Sequence, residues 1–525
     1  MTNSSSCLLL SSSAARRLSQ SQDQEPGHCS LIALPDACLL EVLQLCAAND
    51  LRSVFSAARA HSRLHQAAAA VSSVTADLSQ QEQVDSVLLY LDRHSRYVNS
   101  IELRTLHSVI LQQLPPSLQL NSLQLQGLRL QVLPAEGFQG VLGAAAAVAA
   151  LKQLQLTDCT LTDDEEGLTA ALSPLAAALE HLSISDVCFD GQQIGFPTAV
   201  LRQMQQLTYL ELASVCVGGG LQREVQDLQA LTRLVDLRLC QLNEGGDAPI
   251  VTERMLSGMQ GLTRLEFCQV VLEPGALAGK PKLQHLNLII SHTTGALHEG
   301  TVQLLSRLQD LQQLTHLDLT DALSRYEWAH PADEERVNPP ASAYAALTAS
   351  SKLQYLDVSS WALPFGAWQH IFPAGKQLPH LQTLLLFGMR GPSGLSLLAP
   401  DGLVSCCPGL QHLDMRGMQR GAQLLPSLQG LSVLHTLRLS PASSTPEDLA
   451  EAEGFVAACQ LTGLRDLTLH TLYTPATREG LLRPLTQLQQ LTKLEYGGAR
   501  RHRPYKNIIL VCEVSPNSIV CADLV

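Results

Sequence analysis

One short pattern of apolar and polar positions recurs along most of the chain. In residues 151–161, LKQLQLTDCTL, the apolar positions are Leu151, Leu154, Leu156 and Leu161, with Cys159 between them. Leu154 and Leu156 alternate with Gln153, Gln155 and Thr157, so a short strand puts the leucines on one face and the polar side chains on the other. The same spacing restarts at Val98, Leu120, Leu179, Leu207, Leu234, Leu262, Leu283, Leu314, Leu353, Leu381, Leu410, Leu434, Leu464 and Leu491, which makes 15 units about 28 residues apart. A unit of this kind cannot bury its apolar face alone and needs a neighbour on each side. Its length leaves room for a helix after the strand, as across 163–179 and 221–231. The expected fold class is therefore α/β: a curved solenoid with a parallel sheet on its concave side and helices outside.

The spacing L-x-x-L-x-L-x-x-N/C-x-L resembles the leucine-rich repeat. LVSCCPGLQHLDMRGM, with Cys406, Cys407 and Pro408 ahead of Leu410, resembles the cysteine-containing, ribonuclease-inhibitor-like class, and so does LTDCTLTDDEEGL. The solenoid is assigned to 98–496.

Before the repeats the period is helical. Leu39, Val42, Leu43 and Cys46 share one face, Asn49 and Asp50 can cap a second helix, and Leu51, Val54, Phe55 and Ala58 make its stripe. This small all-α segment, 29–70, resembles an F-box on Leu34-Pro35-Asp36, Val42-Leu43, Asp50-Leu51 and Arg63-Leu64, and departs from it at His61, where the family usually has tryptophan. The resemblance implies docking on the Skp-type adaptor of a cullin-RING ubiquitin ligase through Leu34, Pro35, Leu39, Val42, Leu43 and Leu51, with the repeats holding a protein substrate. The alternative is a helical cap on a scaffold that binds a cytoskeletal, ciliary or signalling protein.

Residues 1–28, rich in Ser and Gln, read as a disordered tail, with a transit peptide as the alternative. Residues 71–97 read as a linking helix through Val84, Val87, Leu88 and Leu91, and 497–525 as a capping hairpin. The unit starting at Leu314 is longer than the rest. Its excess, 325–342, carries Trp328, Pro331, Pro339 and Pro340 and reads as a projecting loop.

Composition narrows the function. The 35 Lys plus Arg stand against 48 Asp plus Glu, a net charge of −13, which argues against nucleic-acid binding. No apolar run reaches the ~20 residues that span a bilayer. The 14 cysteines form no C-x-x-C pair, and Cys159, Cys188, Cys216, Cys240 and Cys268 recur along the repeats; they read as reduced thiols of a cytoplasmic or nuclear protein. GALAGKP at 275–281 lacks the spacing and the Ser or Thr of a phosphate loop, and no catalytic residue, metal site or cofactor is assigned.

Binding chemistry is sought on the concave wall. Positions three, five and seven of each unit point there if positions four and six are core. In mid-array these positions offer His316, Asp318, Tyr355, Asp357, Phe387, His412 and Asp414, together with Ile289 and Leu385. Charges mixed with exposed apolar anchors suit a protein substrate. The blander reading is duplication of a solvent-tolerant LxHLD strand.

Overall fold

The computed structural model describes residues 34–49, 57, 64, 72–106, 109–111, 113–115, 117–130, 151–161, 172–189, 192–193, 198–214, 225–240, 250–289, 297–320, 339–359, 361, 363–364, 366–387, 400–416, 428–440, 460–471, 488–499, 507–515 and 518–524. An 18-stranded sheet runs through them. Its first 16 strands are parallel, and each of the 15 units marked by the leucine spacing contributes one of them. Neighbouring strands are in register: Leu154 lies beside Leu123 on one side and Leu182 on the other. Leu154, Leu156, Leu182, Leu210 and Leu237 are all buried, while the residues between them face solvent to varying degrees. The chain is an α/β leucine-rich-repeat solenoid.

One strand comes earlier than the leucine spacing indicates. Ser73–Leu78 pairs in parallel with Ser100–Thr105, so 71–97 is a strand followed by helix Gln81–His94 and not one linking helix. Val74, Ala76 and Leu78 point inward, and Ala76 stands where most other units carry a leucine and the rest a larger apolar side chain. Helix Asp36–Asn49 packs on this first strand. It sinks Leu39 and Leu43 into the core, with Leu34 and Val42 half-buried and Pro35 exposed. Leu51 and most of 50–70 lie outside the described residues, as does the tail, 1–28.

The outer layer also differs from expectation. Where true helices are expected at 163–179 and 221–231, the described parts hold the 3-10 turns Ser173–Leu175 and Val225–Ala230. Geometry explains the substitution: an α-helix is ~10 Å across whereas strands repeat every ~4.8 Å, so a slimmer, tighter coil fits more units per length of sheet. Leu297–Leu308 is a full α-helix, as is the shorter Pro400–Cys406. In the long unit, residues 321–338 lie outside the described set, but Ser342 belongs to the 3-10 helix Ala341–Thr348 and not to a loop. At the other end, Asn507–Ser515 and Ser518–Leu524 form an antiparallel hairpin on Lys493–Ala499.

A left-handed turn follows several strands. Gly127, Asp158, Asp186, Ser214 and Gln269 all have positive φ, and each donates its N–H to the last carbonyl of the next strand, to Thr157, Ser185, Ala213, Cys240 and Ile289 in turn. The turn swings the chain off the sheet while linking each coil to its successor. Only the first position requires glycine: a Cβ on Gly127 would stand 2.0 Å from the Thr105 carbonyl oxygen.

Candidate functional site

The open face of the sheet is a set of in-register ladders, with side chains ~4.8 Å apart from strand to strand. At position three, His285, His316 and Tyr355 occupy successive strands. Their rings stack, with centroids 3.8 Å apart for the two histidines and 4.0 Å for His316 and Tyr355. Burial drives the His285 pKa down to about 3, helped by His316 and by the Arg264 and Arg238 guanidiniums. Burial also lowers His316, against the pull of Asp318. Both imidazoles are therefore neutral at physiological pH, and the stack behaves as an aromatic wall. A second stack, His181 on Tyr209 at 3.8 Å, lies towards the N-terminal end.

Between the two stacks sits an ion network. Arg238 donates to both oxygens of Asp236 at 3.2 and 3.1 Å and approaches Glu266 at 3.8 Å, while Arg264 reaches Glu266 at 3.6 Å and Asp236 at 3.9 Å. Arg238 also lies over the Tyr209 ring at 5.1 Å. Tyr209 and Ser183 both donate hydroxyl hydrogens to Glu211 at 2.8 Å. Asp236, Glu266 and the two arginines offset one another, while Glu211 is held by the two hydroxyls.

Asp318 and Asp357 differ. They are register neighbours at position five, directly below the His316–Tyr355 stack. Asp318 accepts from the Thr320 amide at 2.9 Å and hydroxyl at 2.7 Å; Asp357 accepts from the Ser359 amide at 2.8 Å and the Tyr355 hydroxyl at 3.3 Å. Neither forms an ion pair with a basic side chain among the described residues. Glu102, Asp236, Glu266, Asp414 and Glu495, in contrast, each hold one on the same face. Burial raises the Asp357 pKa, and the neighbouring Asp318 carboxylate adds to the rise against hydrogen bonds from Ser359.

The next two strands supply the remaining expected residues. Leu385 stands beside Asp357 and then Asp414 at position five, and His412 lies two strands from Tyr355 at position three. Phe387 is 47% exposed, anchored by its amide on the Ser359 hydroxyl at 3.2 Å. The Arg416 guanidinium sits 5.1 Å from the centre of its ring. Asp414, although brought into the patch, is already occupied: Arg416 donates to it at 2.7 and 3.0 Å, and Arg438 approaches at 3.9 Å. His412 is exposed at the edge. The seven expected residues thus fall on or just beyond four consecutive strands, about 14 Å wide, and of their three carboxylates Asp318 and Asp357 have no cation among the described residues. The Asp236–Arg238–Arg264–Glu266 network and the His181–Tyr209 stack lie on the same face outside the seven expected residues; following positions three and five across every strand finds them in the sequence.

The recurring cysteines separate into different environments. Cys159, in the N/C slot, is buried, and its Sγ lies 3.4 Å from both the Leu125 and Thr157 carbonyl oxygens, with burial pushing its thiol up to about 12. Cys406 and Cys407 are buried too, whereas Cys188, Cys240 and Cys268 are half-buried and Cys38 is exposed; all are free thiols. Cys216 lies outside the described residues. The phosphate-loop imitation is structural: Pro274–Leu277 is a 3-10 turn, and buried Lys280 caps the Leu256 carbonyl at 2.6 Å.

No family model and no curated protein matches this chain. Among solved structures it is similar to the plant peptide hormone receptor RGFR1 in complex with RGF2, at 14% identity, covering 79% of this chain and 69% of that one with a TM-score of 0.38. It is similar to the mouse RP105/MD-1 complex at 14% identity, 83% and 77% coverage and a TM-score of 0.39. For the TLR13-ssRNA13 complex the values are 14%, 81% and 62%, with a TM-score of 0.41. The repeat assignment rests on this chain's own sheet. No helix among the described residues is long and apolar enough to cross a membrane.

Proposed function

We propose that this chain is a non-catalytic, protein-binding scaffold whose open sheet face takes a partner segment carrying a basic side chain. The observation that carries this reading is the Asp318–Asp357 pair: two adjacent carboxylates without a cation among the described residues, next to Leu385 and exposed Phe387. A lysine or arginine reaching this pair gains charge-assisted hydrogen bonds, and an adjacent apolar residue gains the Phe387 ring. Selecting peptides from a random display library against the immobilised chain tests the chemistry. Enriched peptides should share a Lys or Arg within a few residues of an aromatic or aliphatic one; a pool without basic enrichment refutes it.

A narrower proposal gives the 34–64 region an F-box role, docking the chain on a Skp-type adaptor so that the cullin complex modifies whatever the sheet holds. This role falls to Leu34, Pro35 and Val42, which keep surface, because Leu39 and Leu43 serve the solenoid's own core. Leu34→Ala with Pro35→Ala should abolish recovery of the adaptor from cell extract and leave melting unchanged. A wild-type chain that recovers no adaptor, with a variant that melts lower, reduces the segment to a cap.

A further inference from the structure

Strands Asp236–Cys240 and Arg264–Cys268 are parallel neighbours, and their register places Cys240 beside Cys268. Both thiols stand at position seven, on the open face, and both are half-buried and free. The ladder continues with Ala213 on one side and Ile289 on the other, so the pair sits in an apolar row. The backbone just beyond them is held: the Cys240 carbonyl accepts from the Ser214 amide at 2.9 Å, and Gln269, directly after Cys268, donates to Ile289 at 2.7 Å.

This geometry distinguishes two chemistries. Parallel neighbours lie ~4.8 Å apart; that falls inside the ~4.4–6.8 Å Cα range of a disulfide, but in-register side chains project side by side, and an S–S bond would draw their Cβ atoms in to ~3.5–4.5 Å. Two metal–thiolate bonds of ~2.3 Å in line span ~4.6 Å, close to the ladder spacing. Hard cations find little to bind here, since Glu266, the nearest acid on the Cys268 strand, is shared between Arg238 and Arg264. Sulfur-only donors select soft ions.

We propose that Cys240 and Cys268 form a two-coordinate site for a soft, thiophilic monovalent cation of the copper(I) type. Binding replaces two S–H bonds by two S–metal bonds and releases two protons to solvent, without any change in oxidation state. An ion here would tie two neighbouring coils together on the face that also carries the Arg238–Glu266 network.

Copper(I) itself is the probe, supplied anaerobically to the full chain in the presence of the chromophoric competitor bicinchoninate. The wild-type chain should retain one more copper(I) than either Cys240→Ser or Cys268→Ser, while Cys38→Ser, which alters an exposed thiol elsewhere, should retain as much as wild type. A second measurement does not depend on how the variants fold. In the wild-type chain, bound copper should shield Cys240 and Cys268 together from alkylation, read by peptide mass mapping. Equal copper in wild type and both serine variants, alkylation of the pair unaffected by copper, or ready formation of a Cys240–Cys268 disulfide in air would each overturn the site.

Discussion

Trp361→Ala is expected to remove about 3–5 kcal/mol of stability. Trp361 is fully buried just beyond strand Tyr355–Asp357, its indole N–H donating to the Leu319 carbonyl at 2.6 Å. Its ring meets Tyr344 edge-on, at 6.1 Å and 79°. Tyr344 lies in the 3-10 helix Ala341–Thr348 that closes the long unit, so one indole joins the sheet, the outer layer and the preceding coil. Alanine leaves a large cavity and orphans a buried carbonyl, and the two penalties add. Tyr344→Phe is the control of opposite sense: the Tyr344 hydroxyl is buried without a hydrogen-bond partner among the described residues, so its loss should be neutral or slightly stabilising. Urea unfolding followed by circular dichroism measures both. A Trp361→Ala loss below about 1 kcal/mol would contradict this packing.

The second large effect concerns binding. Asp318→Arg with Asp357→Arg should weaken a basic peptide selected by the wild-type chain by about 100-fold or more, since it both removes two acceptors and opposes the incoming cation. The milder Asp318→Asn with Asp357→Asn keeps shape and should cost about 10-fold, because hydrogen bonds survive while the charge is lost. Fluorescence anisotropy of a labelled peptide distinguishes these steps. If the arginine pair binds as tightly as wild type, the contact lies elsewhere on the sheet. Asp414, already held by Arg416, serves as an internal comparison: Asp414→Asn should leave affinity nearly unchanged.

The leucine spacing alone located every one of the 15 strands it marked, because burial on one face of a sheet enforces a strict period of two. It missed Ser73–Leu78, where Ala76 replaces the expected leucine and nothing in the spacing stands out. It overstated the outer helices, since the width available to them is set by strand separation and not by their own residues. On the open face, position in the ladder is legible: His316 and Tyr355 fall at the same position of successive units, and their rings stack. What remained hidden was which charges neutralise one another. Asp414 and Asp318 both sit in an LxHLD or LTHLDL strand, yet Arg416 occupies the first and Thr320 the second, two residues on in each case. That comparison was available in the sequence, whereas the Arg238–Arg264 network required neighbouring strands and actual rotamers. The cysteines are separable by the same counting: Cys159 falls at position nine and is buried, whereas Cys268 falls at position seven, on the open face.

The amides of the left-handed turns reach forward to the following strand, so the exits of those five coils are fastened to their successors. Under load this has a mechanical meaning. A chain drawn out by its two termini would not rupture in a single event; it would pay out one coil after another, each release lengthening the tether by roughly 90 Å if about 28 residues straighten. Coils that share a buried indole, or a metal bridge, would be the ones to hold longest, making the array a graded spring whose stiff segment is the stretch between Arg238 and Trp361.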